Sequence, residues 1–250
     1  MPHAGIARVD VLGVGISVVN RAAAVHEVTR WIDTGERHYV CVTGVHGVME
    51  AQRDPELRRA HNESGLTVPD GPQLVRAGHR AGAPGMREVP APDLMADVLA
   101  RAAERGWTSY FYGGPEGVPE RLASHVALRF PGLKVVGAYA PPVRPLTPRE
   151  DAAITARING SGADLVWVGL PTPEQERWMA AHRGRLEAPV LLGVGAAIDS
   201  HGGRTSRAPA WASHLMKEAR RQGRRHLRNN PVYLARTLWR RPRLRLPEHG

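Results

Sequence analysis

Short apolar runs alternate with longer amphipathic stretches along most of the chain. Six runs of four to six residues are bounded mostly by Gly, Pro or Asp, which is typical of buried strands. They span residues 38–43, 66–69, 107–112, 133–138, 165–170 and 189–194. The stretches between them carry helix-start signals such as Thr147-Pro148 and Asp54-Pro55. This alternation predicts an α/β fold with a mostly parallel sheet covered by helices on both faces.

The two ends of the chain depart from this alternation. Residues 9–19 predict a first strand or hairpin, followed by an amphipathic helix from Arg21 to Thr34. Residues 211–228 predict a strongly basic helix, and a second helix is predicted from Pro231 to about Arg240. The sequence therefore predicts a Rossmann-like core over residues 1–203 and a basic helical appendage over residues 204–250.

Positive charge is concentrated in the appendage. The whole chain has a net charge of +10, and residues 201–250 contain 13 Lys or Arg against two acidic residues. Such a segment favours a phosphate-rich partner, and the alternation of Arg with Val, Leu and Trp after Pro231 is typical of a helix on an anionic membrane surface. A nucleic acid is the less favoured alternative, because few aromatic residues are available for stacking.

Cysteine use and hydropathy indicate the compartment. Cys41 is the only cysteine and lies in an apolar run, so an internal disulfide is excluded and a core thiol is favoured over a nucleophile. No apolar run approaches the ~20 residues that span a bilayer, and the first residues lack a signal-peptide pattern. These features predict a cytoplasmic protein that can act at the inner membrane face.

Polar residues and glycines follow several predicted strands. Thr172-Pro173 with Glu174 and Glu176 predicts a helix start after one strand, and Gly193-Val194-Gly195 predicts a turn after the next. In a parallel sheet such ends share one edge, where backbone N–H groups can hold an anion. We therefore expect a ligand site there.

Two further strand ends carry candidate chemistry. Asp70 follows the run 66–69, where its carboxylate either acts as a general base or caps the helix that starts near Pro72. Gly113-Gly114 follows the run 107–112 and either contacts a phosphate or only permits a tight turn. Spacing alone leaves both pairs of interpretations open.

The segments VGLPTPEQERW, GVGAAID and RAP, in this order, resemble the signature of the WecG/TagA/CpsF glycosyltransferases. These bacterial enzymes move a sugar from a nucleotide diphosphate to an acceptor, commonly a lipid-linked sugar at the membrane. The resemblance covers nearly the whole chain. It implies an inverting hexosyl or N-acetylhexosaminyl transferase that uses a UDP-sugar donor, needs neither metal nor cofactor, and self-associates into a homo-oligomer.

The resemblance also implies roles for individual residues. It makes Asp70 the base that deprotonates the acceptor hydroxyl. The implied substrate-binding residues are Thr43, Gly71, Gln175, Glu176, Arg177 and Arg207. The implied nucleotide-binding residues are Gly113, Gly114, Gly193, Gly195 and Asp199. From the residues alone, Arg177 either holds the leaving diphosphate or pairs with Glu174 or Glu176.

The chain departs from the family pattern in two places. The Thr-x-Asn pair that usually precedes the Asp is not intact, and Thr43 offers its hydroxyl there instead. The appendage is shorter and lacks an apolar, Trp-containing segment that the family carries. A small soluble acceptor in a secondary-metabolite pathway is therefore kept as an alternative to the favoured lipid-linked acceptor.

Overall fold

A computed structural model describes residues 5–195, 232–233, 235–237 and 240–247 of the chain. Nine strands lie in these residues. They are β1 (Arg8–Val11), β2 (Val14–Ser17), β3 (His38–Thr43), β4 (Leu66–Pro69), β5 (Thr108–Gly113), β6 (Lys134–Tyr139), β7 (Leu165–Gly169), β8 (Val190–Gly193) and β9 (Arg243–Arg245). Six of them form a wholly parallel sheet with the order β4-β3-β8-β7-β5-β6.

Eight helices within residues 5–195 accompany the strands. They are α1 (Arg21–Thr34), α2 (Val45–Glu50), α3 (Pro55–Glu63), α4 (Pro72–Arg80), α5 (Ala91–Arg105), α6 (Val118–Arg129), α7 (Pro148–Gly160) and α8 (Glu174–His182). Asp54 accepts hydrogen bonds from the backbone N–H groups of Glu56 and Leu57 at the start of α3. The predicted helix break at Asp54-Pro55 is therefore confirmed, and so is the start at Pro148, where Thr147 and Glu150 form a capping box.

Helices cover both faces of the parallel sheet, because successive strand residues point to opposite sides. On one face Phe111 and Trp167 stack at 6.3 Å between ring centroids, under α1, α5 and α6. On the other face Tyr112 and its neighbours pack against α7 and α8. The predicted α/β, Rossmann-like fold is confirmed.

A second sheet joins the two ends of the chain. β1 pairs antiparallel with β2, as the predicted hairpin requires, and β9 pairs antiparallel with β1 on its other side. Asp10 of β1 forms an ion pair with Arg245 of β9. The second predicted helix of the appendage is confirmed at residues 232–233 and 235–237, which are helical. No strand is predicted after it, so β9 is an addition to the predicted appendage. The predicted basic helix at 211–228 lies outside the described residues.

No helix among the described residues is both long and apolar enough to cross a membrane.

Candidate functional site

The carboxyl ends of the parallel strands meet at one edge of the central sheet, and the predicted site residues follow these ends. Pro69 at the end of β4 is level with Thr43 at the end of β3. Gly193 at the end of β8 is level with Val168 of β7, and Gly113 of β5 with Gly169. This edge is where open parallel sheets bind ligands.

The turn before α8 and the turn after β8 are joined by Gln175. Its side-chain oxygen Oε1 accepts a hydrogen bond of 2.7 Å from the backbone N–H of Gly195. Gln175 is 3% exposed and lies on Met179 and β8. The structure thus brings together two of the strand ends that the sequence predicts to share a site.

Gly193 permits this contact because it has no side chain. A Cβ atom at position 193 would lie 2.7 Å from Gln175 Nε2 and 2.6 Å from Met179 Cε. Both distances are shorter than van der Waals contact, so the close approach of α8 to β8 requires a glycine here.

Gly193→Ala is accordingly expected to destabilise the fold by about 1–3 kcal/mol, because overpacking must displace Gln175 or Met179. Urea unfolding of the variant measures this loss. Gly160→Ala is the matched control, since nothing lies within 4 Å of a Cβ atom at that position. Equal midpoints for the two variants would contradict the packing argument.

Glu176 lies beneath the same turn and is only 1% exposed. Its Oε1 accepts from the Thr172 hydroxyl at 3.2 Å and from Gln175 Nε2 at 3.4 Å. Among the described residues, its Oε2 has no hydrogen-bond partner. Burial raises the pKa of Glu176 to about 7, because the ionised form is poorly solvated.

Asp70 lies at the same edge. It follows β4, which is two strands away from β8, the strand that precedes the Gln175–Gly195 contact. Its backbone N–H donates to the Thr43 carbonyl at 2.8 Å, and the side chain is exposed. α4 begins with Gly71 at its N-cap position, at a φ of 100°, and no side chain caps the helix. Gly71, not Asp70, therefore occupies the N-cap position, and the role of the Asp70 carboxylate stays a prediction. At the usual inter-strand spacing, β4 and β8 are about 10 Å apart across the sheet.

Comparison with known proteins identifies the chain. The model of the family described as "Glycosyl transferase WecG/TagA/CpsF family" matches residues 9–247. The chain belongs to this glycosyltransferase family. Its relatives include proteins of Staphylococcus aureus strains MW2 and NCTC 8325 / PS 47, each 25% identical over 181 residues, which is 69% of this chain and 68% of the relative. Both are named N-acetylglucosaminyldiphosphoundecaprenol N-acetyl-beta-D-mannosaminyltransferase.

Backbone geometry explains the two glycines at the end of β5 in the glycosyltransferase. Gly113 has a φ of 110°, and a Cβ atom there would lie 2.6 Å from the Gly169 carbonyl oxygen of the neighbouring strand. Gly114 also has a positive φ, of 78°. The tight-turn interpretation of this pair therefore has a direct structural basis. The N–H of Gly195 is likewise engaged with Gln175.

The N-terminus of α8 differs from its prediction. Thr172 does not cap the helix, because its hydroxyl donates to Glu176, and Pro173 occupies the N-cap position. The N–H of Gln175 donates to the Pro171 carbonyl at 2.9 Å. The N–H of Gln175 is therefore engaged with its own loop and is not free to bind an anion.

Arg177 and Thr43, both predicted to bind substrate, lie against neighbouring helices of the transferase. Arg177 pairs with Asp54 at 2.7 Å and Glu56 at 3.4 Å, so the predicted pairing with Glu174 or Glu176 is wrong. Thr43 is buried, and its hydroxyl oxygen occupies the space that a side chain at Gly47 would need. Arg177 thus joins α8 to α3, and Thr43 packs against α2.

Two predicted site residues of the transferase lie beyond Gly195 in the chain. Asp199 and Arg207 lie outside the described residues, so their positions relative to Gln175 stay predictions. Sequence reasoning missed the part played by Thr172, whose hydroxyl contacts Glu176. Its spacing of four residues from Glu176 places the two on one face of a helical turn, which is the signal that could have found this contact.

Proposed function

We propose that this glycosyltransferase moves a hexose or an N-acetylhexosamine from a nucleotide diphosphate, expected to be UDP, to a hydroxyl of a lipid-linked sugar. The observation that carries the proposal is the shared edge of Asp70 and the Gln175–Gly195 contact. It is supported by the relatives' name, which specifies N-acetylmannosaminyl as the transferred group and N-acetylglucosaminyldiphosphoundecaprenol as the acceptor.

Asp70 serves as the general base in this proposal. Its exposed carboxylate accepts the proton of the acceptor hydroxyl while the oxygen attacks the anomeric carbon. The diphosphate leaves from the opposite face, so the anomeric configuration inverts. The separation of about 10 Å between β4 and β8 suits a sugar ring with its diphosphate between Asp70 and Gly195.

The leaving diphosphate requires positive charge that the turns at Gln175 and Gly195 do not offer. The N–H groups of Gln175 and Gly195 are engaged within the protein, and Arg177 is paired with Asp54. We assign the charge to arginines of the basic segment, with Arg207 as the first choice, because the guanidinium fork matches phosphate oxygens. Asp199 and the turn after Gly195 contact the nucleotide in this proposal.

A membrane-facing surface favours the lipid-linked acceptor over a soluble one. Leu246, directly after β9, is 73% exposed, and Leu244 of β9 is 37% exposed. Arg241, Arg243 and Arg245 are also exposed beside them. Exposed leucines among arginines bind anionic lipid through both burial and charge.

A transfer assay with two forms of one acceptor tests the proposal. An N-acetylglucosaminyl diphospholipid is presented either in anionic vesicles or as a short-chain, water-soluble analogue, together with UDP-N-acetylhexosamines. We expect product in both arms and faster turnover on vesicles, and Leu246→Glu should slow the vesicle arm alone. Product from the soluble arm only would favour a small soluble acceptor. Absence of transfer with any nucleotide sugar would overturn the proposed function.

A further inference from the structure

The carboxyl group of Glu176 is buried, and its burial is energetically unfavourable. A carboxyl group that is 1% exposed and has one oxygen without a partner among the described residues lowers stability when it ionises. Stability alone therefore gives no reason for an acidic residue at this position. Its two hydrogen bonds, from Thr172 and Gln175, indicate a different role.

The Gln175 amide can satisfy its neighbours in one orientation only. Gly195 presents an N–H donor, so the amide must turn its oxygen toward that backbone group. The amide nitrogen then faces Glu176 Oε1, which is an acceptor. If Glu176 did not accept this hydrogen bond, the amide could rotate. Its N–H₂ group would then face the N–H of Gly195, and the hydrogen bond to Gly195 would be lost.

We propose that Glu176 is a positioning residue that orients the Gln175 amide and, through it, fixes the backbone where the chain leaves β8. The proposal rests on the proposed function, in which the segment after Gly195 contacts the nucleotide sugar. Glu176 does not itself touch the substrate, because its carboxyl is buried behind Gln175 and below Thr172. This differs from the direct substrate contact that the family resemblance implies.

Two substitutions at position 176 separate the acceptor role from the charge. Glu176→Leu has a similar volume and removes the acceptor, and because it also removes a buried carboxyl it is expected to stay folded. Glu176→Gln keeps an acceptor oxygen. We expect the leucine variant to raise the KM for the nucleotide sugar roughly tenfold, the effect of one lost buried hydrogen bond. Its kcat should change less, and the glutamine variant should keep a KM near that of the wild type.

Amide hydrogen exchange at Gly195 supplies a readout that does not depend on activity. The exchange rate should rise in Glu176→Leu and stay at the wild-type value in Glu176→Gln, since the Gly195 hydrogen bond is kept only when Gln175 stays oriented. Glu174→Gln is the control, because Glu174 lies in the same helical turn and is exposed.

Either of two results overturns the positioning role. One is a folded leucine variant with wild-type KM and wild-type protection of Gly195. The other is a glutamine variant as impaired as the leucine variant, which would make the charge the deciding property. If the wild type transfers no sugar at all, the proposed function fails, and the exchange measurement still decides whether Glu176 orients Gln175.

Discussion

Asp70→Asn is expected to lower the kcat of sugar transfer by about 10²- to 10⁴-fold, the usual contribution of a general base. The amide has nearly the same size as the carboxylate but cannot accept a proton from the acceptor hydroxyl. Gly71 occupies the N-cap position of α4, so the substitution leaves the N-cap residue of that helix unchanged. Steady-state transfer of a labelled sugar at saturating donor and acceptor measures the loss.

Donor binding distinguishes a lost base from a damaged site. The thermal midpoint of Asp70→Asn should rise with UDP-sugar concentration as it does in the wild type, because the donor binds toward Gln175 and Gly195 in the proposed arrangement. Asp33→Asn is the control, since Asp33 forms an exposed ion pair with Arg105 on the faces of two helices. Near-normal turnover in Asp70→Asn would remove Asp70 from the catalytic role.

The order of strands and helices could be predicted because local signals and burial agree. The runs at 38–43 and 66–69 are buried strands with those bounds, since apolar β-branched residues end at Gly44 and Asp70. The parallel arrangement follows from the helices between the strands. The position of Asp70 at the edge of this sheet could likewise be predicted from the end of the apolar run, whereas its role as a base stays a prediction.

The burial of the site residues could not be predicted in the same way. Glu176 and Arg177 are adjacent charged residues in one motif, yet one is 1% exposed and the other pairs with α3. Which of them turns inward depends on how α8 packs on α3 and β8, and that packing is a tertiary property. β9 could not be predicted either, because its pairing is also a tertiary contact: its partner β1 lies at the other end of the chain.

Two buried groups should give the stability of the protein opposing pH dependences. Burial raises the pKa of Glu176 from 4.5 to about 7. Burial, with a smaller effect of the Arg8 guanidinium, lowers the pKa of His61 from 6.5 to about 4. His61 is 0% exposed, and neither ring nitrogen has a partner among the described residues. Each shift corresponds to about 3 kcal/mol of unfolding free energy.

The signs of the two effects follow from which state binds the proton. Folded Glu176 holds its proton more tightly than the unfolded chain, so its contribution is full below pH 4.5 and is lost as the pH rises to about 7. Folded His61 resists protonation, so its contribution is full above pH 6.5 and is lost as the pH falls to about 4. Between pH 4.5 and 6.5 the two slopes, each about 1.4 kcal/mol per pH unit, cancel.

Single substitutions should therefore reveal the pH dependence of the unfolding free energy that cancels in the wild type. Relative to the wild type, Glu176→Gln should gain about 3 kcal/mol of unfolding free energy as the pH rises from 4.5 to 7. His61→Phe, a ring of similar size that does not titrate, should gain a similar amount relative to the wild type as the pH falls from 6.5 to 4. Urea unfolding at half-unit pH intervals measures both differences, and the double variant should again match the flat wild-type profile between pH 4.5 and 6.5. Parallel profiles for the wild type and Glu176→Gln would mean that this carboxyl titrates normally in the folded protein and is not held in a buried, neutral form beside Gln175.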